Sequence, residues 1–375
     1  MSSLRILFTV QGEGRGHMTQ ALALRALLEA AGHRVCSVLV GRSTRRVIPD
    51  YFLQKIDAPV HAFESPNFVV DADERAVRPG QTLLRNLGYA GRFRDSIRLI
   101  AARIRRDRPD VLINFFEPLA GLYQRRARPG IPMVCIGHQY VYTHPDYALP
   151  PGRRWERRGL LRFIELTAAG ADRRLALSFY PLSDVPAQRL VVVPPLLRSA
   201  LLERIPELPE PFLLVYLLNS GYADAVIRWH ERHPEVPLHC FWDRKGVPPT
   251  YRFDARLTFH TLDDRKFLAL MVRCRGVVCT AGFESVCEAF YLGKPVQMVP
   301  VEGHYEQYCN ALDAVRAGAG LYSLDFNLDK LKAQLPAYYS PDPAFRRWVA
   351  EAGARCIAEI EAVARTQGRP SLIPV

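Results

Sequence analysis

The sequence predicts an α/β protein built from two Rossmann-like, doubly wound domains facing a cleft. Three observations predict it. Short apolar runs alternate with helical patterns through both halves of the chain, as a parallel sheet covered by helices on each face requires. Prolines gather near the middle, at Pro194, Pro195, Pro206, Pro209 and Pro211, the composition of a segment where domains join. The chain has 375 residues, 49% of them apolar, enough for two domains of roughly 100 to 200 residues each. The expected domains are 1–195 and 196–375, with a closing helix at about 344–364 as a candidate to pack back on the first.

In chain order, LRILFTV (Leu4 to Val10) leads through a glycine loop into a helix from Met18 to Ala31. Gly32 closes that helix, and RVCSVLV (Arg34 to Val40) completes a β-α-β unit. Further strands are expected at Val111 to Phe116, Pro132 to Gly137, Arg173 to Phe179 and Arg189 to Pro194. After the prolines the alternation restarts, with strands at Phe212 to Leu218, Leu238 to Trp242, Arg256 to His260, Gly276 to Thr280 and Pro295 to Pro300. Ala344 to Ala364 reads as one long closing helix. There is no internal repeat.

No apolar run approaches the ~18 residues of a membrane span, and the opening MSSLRILFTVQGEG lacks the long apolar segment of a signal peptide. A cytoplasmic protein is expected. The eight cysteines form no C-x-x-C pair and mostly sit in apolar stretches, so neither disulfides nor structural zinc are expected. The formal net charge is +12, which admits nucleic acid, an anionic membrane face or phosphorylated substrates as partners. Arginine supplies most of it, clustered at Arg92 to Arg108, Gln124 to Arg128 and Gly152 to Phe163. Compositional bias is the alternative source of that excess. The clusters lack the interleaved aromatic platform of nucleic-acid binders, so no nucleic acid is expected. Trp155, Leu160, Leu161 and Phe163 lie among the arginines, a composition suited to peripheral attachment at an anionic membrane surface.

Two stretches carry chemistry. Gly12, Gly14 and Gly16 precede His17 and a helix; such a loop lets backbone N–H groups approach an anion at a helix N-terminus. A P-loop would need G-K-[ST] here, and the dinucleotide pattern G-x-G-x-x-G is missed by one residue, with no acid ending the second strand. The second stretch runs from Cys279 to Gly320. Ala281-Gly282 opens a strand-to-helix turn whose first turn (Gly282, Phe283, Glu284, Ser285) offers N–H groups to a diphosphate. Glu288 follows along the helix, where a carboxylate can take both hydroxyls of a ribose. Glu302, His304, Glu306, Gln307 and Asn310 lie on the next loop, a polar set suited to sugar hydroxyls.

Gly282, Ser285, Glu288, Gly293, Pro295, Pro300, Gln307, Asn310 and Ala311 resemble the donor-binding pattern of GT-B glycosyltransferases, in particular the peptidoglycan N-acetylglucosaminyltransferases that form lipid II and their relatives. The loop ending Gly16-His17 is similar to the same family's first glycine loop. NFFEPLAG and GIPMVCIGHQY resemble a bacterial and archaeal branch of uncharacterised glycosyltransferases. The resemblance implies that Glu288 holds the ribose, Glu306 and Gln307 the donor sugar, and Leu262 the base through its backbone. It implies Ser220 beside the diphosphate, with Gly14 and Gly16 as further donor contacts. LNSGYAD departs from the family's double-glycine loop, and Thr261 stands where the relative has an aromatic residue packing on uracil. Glu117, His138 and Gln139 at strand ends are acceptor-side candidates; for His138 the alternative is a satisfied core histidine.

Other patterns fit less well. Asp71-Ala72-Asp73 imitates a metal-chelating D-x-D, but precedes a helix pattern in the wrong architecture. The histidines of WHERH are three apart, where H-E-x-x-H needs four. Glu284 and Glu288 are four apart, whereas retaining members of the fold show glutamates eight apart, which favours inversion. The expectation is an inverting glycosyltransferase, using no cofactor or metal, that moves a sugar from a nucleotide-diphospho donor, UDP-linked, to a hydroxyl acceptor that is lipid-linked or small and hydrophobic. A nucleotide-sugar 2-epimerase of the same fold is the alternative. Inverting transfer needs a base, and His17, with an ordinary pKa near 6.5, is the first candidate, Glu117 the second. His17 could instead orient the diphosphate or cap the turn.

Overall fold

The computed structural model describes residues 3–43, 47–66, 90–204, 208–217, 220–244, 246–335 and 340–366. They divide into two compact units. The first holds the described residues up to Ser199 and those from Trp348 onward; the second spans Ala200–Arg347.

The first unit is a sheet of β1 (Arg5–Gln11), β2 (Arg34–Arg42), β3 (Val60–Glu64), β4 (Val111–Phe115), β5 (Met133–Gly137), β6 (Arg173–Leu177) and β7 (Leu190–Val193). Their order is β3-β2-β1-β4-β5-β6-β7, all parallel. Every residue of β4 and β5 is buried, the two-sided covering that explains runs almost wholly apolar, broken in β4 by Asn114 alone. Each of these buried aliphatic side chains contributes about 1.5 to 3 kcal/mol of transfer free energy. The first helix spans Gly16–Ala30, two residues earlier than Met18. It stops as expected: Gly32 takes a left-handed φ of 82°. The N–H groups of Gly32 and His33 then close on Glu29 O and Leu28 O at 2.9 Å each, a Schellman closure.

The second unit comprises β8 (Leu213–Leu217), β9 (Leu238–Trp242), β10 (Thr250–Arg252), β11 (Leu257–Thr261), β12 (Gly276–Cys279), β13 (Val296–Met298) and β14 (Gly320–Tyr322), in the order β10-β11-β9-β8-β12-β13-β14. Only β10, at the edge, runs antiparallel. Its core gathers Leu213, Val215, Trp229, Leu238, Phe259 and Val278.

Strands β3, β10 and β14 were not expected; β10 and β14 have three residues each, and all three strands are partly or wholly exposed. The single closing helix is also corrected. It is two helices, Pro343–Ala350 and Ala352–Thr366. At the break the Glu351 N–H reaches back only three residues, to Trp348 O (3.1 Å). The second piece buries Ala352, Cys356, Ile360 and Val363, spaced as one helical face, and packs with β5, β6, β7 and the first helix. The Trp348 indole donates to Ser178 O (2.9 Å), and Glu361 and Glu359 meet His33 and Arg173 at 3.2 and 2.9 Å.

In a doubly wound sheet, ligands gather at the carboxyl ends of strands where the strand order reverses. That point lies between β1 and β4 in the first unit, and between β8 and β12 in the second.

Candidate functional site

In the second unit, β12 ends at Cys279 and the chain turns through Ala281, left-handed at φ 57°. A side chain with a Cβ pays of order 1 kcal/mol there, so the surroundings must hold the turn. Asn310 does so: its Nδ2–H donates to Ala281 O at 2.9 Å, with the side chain buried. Gly282 then caps the helix Phe283–Tyr291, whose first N–H groups have no partner within the helix. Ser285 Oγ donates back to Gly282 O (3.1 Å). Glu288 lies one turn further on, only 3% exposed. Glu284, Glu288 and the buried Asp313 all lie close enough to raise the Cys287 thiol, which burial has already pushed up.

Of the polar set on the following loop, Asn310 serves the Ala281 turn. Gln307 is buried, and its Oε1 accepts from Val301 N–H at 2.8 Å, leaving its NH₂ as the group that can address a sugar. His304 caps the helix Tyr305–Arg316, its Nδ1 accepting from Gln307 N–H (3.4 Å), and burial lowers its pKa. Glu302 is exposed and Glu306 half-buried. Leu262, half-buried, sits between β11 and the helix Asp264–Arg273, whose cap is Asp263 accepting from Lys266 N–H (2.9 Å). Ser220 opens the short turn after β8. Ser220 and Gly282 thus follow neighbouring strands at the switch point, with Glu306 and Gln307 after the next strand. Leu262 is set off by two strand spacings, roughly 10 Å.

Gly14, Gly16 and His17 belong to the first unit. Gly12 N–H donates to Gly41 O (2.7 Å) and has no room for a side chain against Val40, whereas a Cβ on Gly14 would meet open space. His17 is the second residue of its helix, 7% exposed. Its ring stacks on Phe116 with centroids 5.5 Å apart at 25°. Its Nδ1 lies 3.3 Å from Gln20 Oε1. An amide oxygen can only accept, so Nδ1 is the donor in this pair and, in the neutral ring, Nε2 is the basic nitrogen. Phe116 itself is left-handed at φ 61°, and also meets Tyr140 and Phe163 edge-on.

Glu117 is fully buried. Its Oε1 accepts from Ser65 Oγ (2.6 Å) and, as cap of the helix Pro118–Ala127, from Leu119 N–H (3.0 Å). Oε2 has no hydrogen-bond partner and lies against Gly41, where any side chain would collide with it. Asn114 locks the backbone beneath, accepting from Glu117 N–H (2.9 Å) and Thr9 Oγ (2.9 Å), and donating to Glu117 O (3.1 Å) and Thr167 O (2.8 Å). Burial pushes the carboxyl up to about 8, aided by Glu13 and opposed by the Ser65 and Leu119 bonds. A group so enclosed is a poor base for a substrate arriving from solvent.

His138 and Gln139 begin the turn after β5, 1% and 6% exposed. His138 Nδ1–H donates to Leu177 O (2.7 Å), and burial pulls the ring down to about 3, so it is neutral at physiological pH. Gln20, Ser65, Gly41 and Phe116 escaped the sequence reading. Gln20 stands three residues after His17 on one helix, and Glu-Pro is a cap followed by proline in the first turn; both signals were present.

Among the described residues no group of three or more His, Cys, Asp or Glu side chains is arranged to hold a metal, and no helix is long and apolar enough to cross a membrane. Asp71 and Asp73 lie outside the described residues. All eight cysteines are free thiols.

The sequence model described as Glycosyl transferase family 1 matches residues 4–337. A Methanosarcina acetivorans protein described as an uncharacterized glycosyltransferase is 26% identical over 336 residues, 84% of this chain and 83% of its own. Among solved structures, CalG4, the calicheamicin glycosyltransferase, superposes with a TM-score of 0.61 at 18% identity, covering 100% of both chains. MurG of Acinetobacter baumannii does so with a TM-score of 0.53 at 16% identity, covering 96% of this chain and 99% of its own. At such identities the likeness establishes the fold, which is GT-B.

Proposed function

The chain belongs to glycosyl transferase family 1, and on that premise we propose that it transfers a sugar from a nucleotide-diphospho donor, UDP-linked, to a hydroxyl acceptor, with inversion and without a metal. The observation that carries the reading is His17: a nearly buried imidazole at a glycine-loop helix start, its Nδ1–H engaged by Gln20 so that Nε2 is the basic atom. The acceptor hydroxyl gives its proton to Nε2 as its oxygen attacks the anomeric carbon. The new C–O bond forms on the face opposite the diphosphate, whose C–O bond breaks, and the nucleoside diphosphate leaves with the electron pair. Its growing charge meets the N–H groups that open the helix Phe283–Tyr291, in the part a divalent cation plays elsewhere. Glu288 takes the ribose hydroxyls, the Gln307 amide and Glu306 the donor sugar, and the Leu262 backbone the base. Gly14 and Ser220 provide close backbone approach to the phosphates.

The test is UDP release from a panel of nucleotide sugars, with His17→Ala and Glu288→Ala compared with the native chain. His17→Ala lowers kcat by about 10² to 10⁴ and leaves UDP affinity intact. Glu288→Ala removes charge-assisted hydrogen bonds worth roughly 1.5 to 3 kcal/mol and weakens UDP about ten- to hundredfold. Turnover within a few-fold of native in His17→Ala rules out the base assignment.

A further inference from the structure

The first unit has a concave feature at the edge where its strands begin, opposite the edge that carries His17 and Glu117. The helices Pro118–Ala127 and Arg154–Thr167, the turn into β6 and the residues before β7 border an open, shallow groove of about 740 Å³. Its lining is mixed, with Leu161, Leu166 and the alanines of the 168–171 turn as the apolar part. Its rim carries Arg125, Arg162, Arg174 and Arg189 against one acid, Glu165. Glu165 is fully engaged by Arg174 in a two-pronged pair at 2.7 and 2.8 Å, and Arg189 donates to Ala171 O (2.9 Å). Arg125 and Arg162 are exposed and have no acidic partner among the described residues.

The same helix extends the surface. Trp155, Arg158, Arg162 and Leu166 are spaced three, four and four residues apart, one face of the helix. Trp155 is 81% exposed, with the Arg158 guanidinium 5.3 Å from its ring centre, and Leu166 is 38% exposed. Leu160 and Ile164 occupy the opposite, buried face, and Phe163 packs on Phe116. The apolar element of the basic helix is therefore Trp155 and Leu166, not the set expected from composition. The arginine-rich helix Ala90–Asp107 packs beside Pro118–Ala127, which packs beside Arg154–Thr167. Positive charge is thus spread across one helical layer.

An exposed indole among guanidinium groups, beside an open groove of mixed lining with two arginines that have no acidic partner among the described residues, matches an amphiphile with an anionic head. We propose that this face docks on an anionic phospholipid bilayer, with a lipid phosphate seated between Arg125 and Arg162 and Trp155 at the level of the headgroups. The inference stands apart from the catalytic assignment.

Co-sedimentation of the full chain with vesicles of phosphatidylcholine alone, or mixed with phosphatidylglycerol, tests it. Binding is expected only to the mixed vesicles, weakening as salt is raised. At about 1 kcal/mol per basic residue near the surface, Arg125→Ala with Arg162→Ala lowers partitioning about 25-fold. Trp155→Ala weakens it separately, and thermal unfolding checks that each variant is folded. No binding to mixed vesicles at low salt, undiminished binding by the folded double variant, or preference for a short RNA over the vesicles would each overturn the proposal.

Discussion

Glu117→Gln retains an oxygen to accept from Ser65 and Leu119 but cannot ionise. In the native chain the buried carboxyl is raised from 4.5 to about 8, so the folded state holds a proton that the unfolded chain releases above 4.5. The associated stability is full below that value and is lost as pH rises towards 8. At about 1.36 kcal/mol per pH unit the loss integrates to roughly 5 kcal/mol, an order of magnitude only. Glutamine carries no such loss, but places an NH₂ where Oε2 meets Gly41, leaving donors unpaired at a cost of about 1 to 3 kcal/mol at every pH. Glu117→Gln is therefore less stable than native near pH 5, and the difference shrinks and reverses by about pH 9. Even half the swing, about 2.5 kcal/mol, moves Tm by roughly 3 °C for a chain of 375 residues. Calorimetric scans of both proteins across that range supply the comparison. Parallel Tm curves would refute the claim that Glu117 is protonated in the folded state. Turnover stays within a few-fold of native, because the carboxyl supports the site and does not react.

Burial holds His260 down at about 4 and His138 at about 3. The unfolded chain therefore takes up protons first as pH falls from 6.5, and stability declines towards pH 4. His260→Phe should flatten that acid limb in urea titrations, and an unchanged limb would discount the ring. Asn310→Ala leaves the Ala281 carbonyl without its partner and costs about 1 to 3 kcal/mol in denaturant unfolding; no change would detach Asn310 from the turn. Gly121→Ala drives a methyl group into the backbone carbonyls of Leu166 and Thr167, and should cost about 1 to 3 kcal/mol in thermal unfolding.

The central strands were legible because burial on both faces demands unbroken apolar runs, and the Leu238–Trp242 strand matches to the residue. Gly32, left-handed at a helix end, was legible because few other residues take that conformation cheaply. Edge strands were not: Thr250–Arg252 is exposed throughout, so nothing in its hydrophobic pattern marks it. The residues gathered at strand ends could be named from spacing, but their duties could not. Asn310 looked like a sugar ligand and instead holds a strained carbonyl. Glu117 looked available and is enclosed by Ser65 and Gly41, which lie far from it in sequence. Such assignments depend on long-range packing, which no local pattern encodes.

The helix Ala352–Thr366 completes the first unit only after residues 200–347 have been made. At about 5 to 20 residues per second, that interval is roughly 7 to 30 s on the ribosome. Throughout it, the flank of β5 to β7 that receives Cys356 and Ile360 remains uncovered, while the second unit has all its own segments and can close first. The order of folding would thus run against the order of synthesis, and chaperone demand would concentrate on the amino-terminal sheet. A circular permutant that places residues 348–366 ahead of Arg5 would let the first unit close as soon as it emerges.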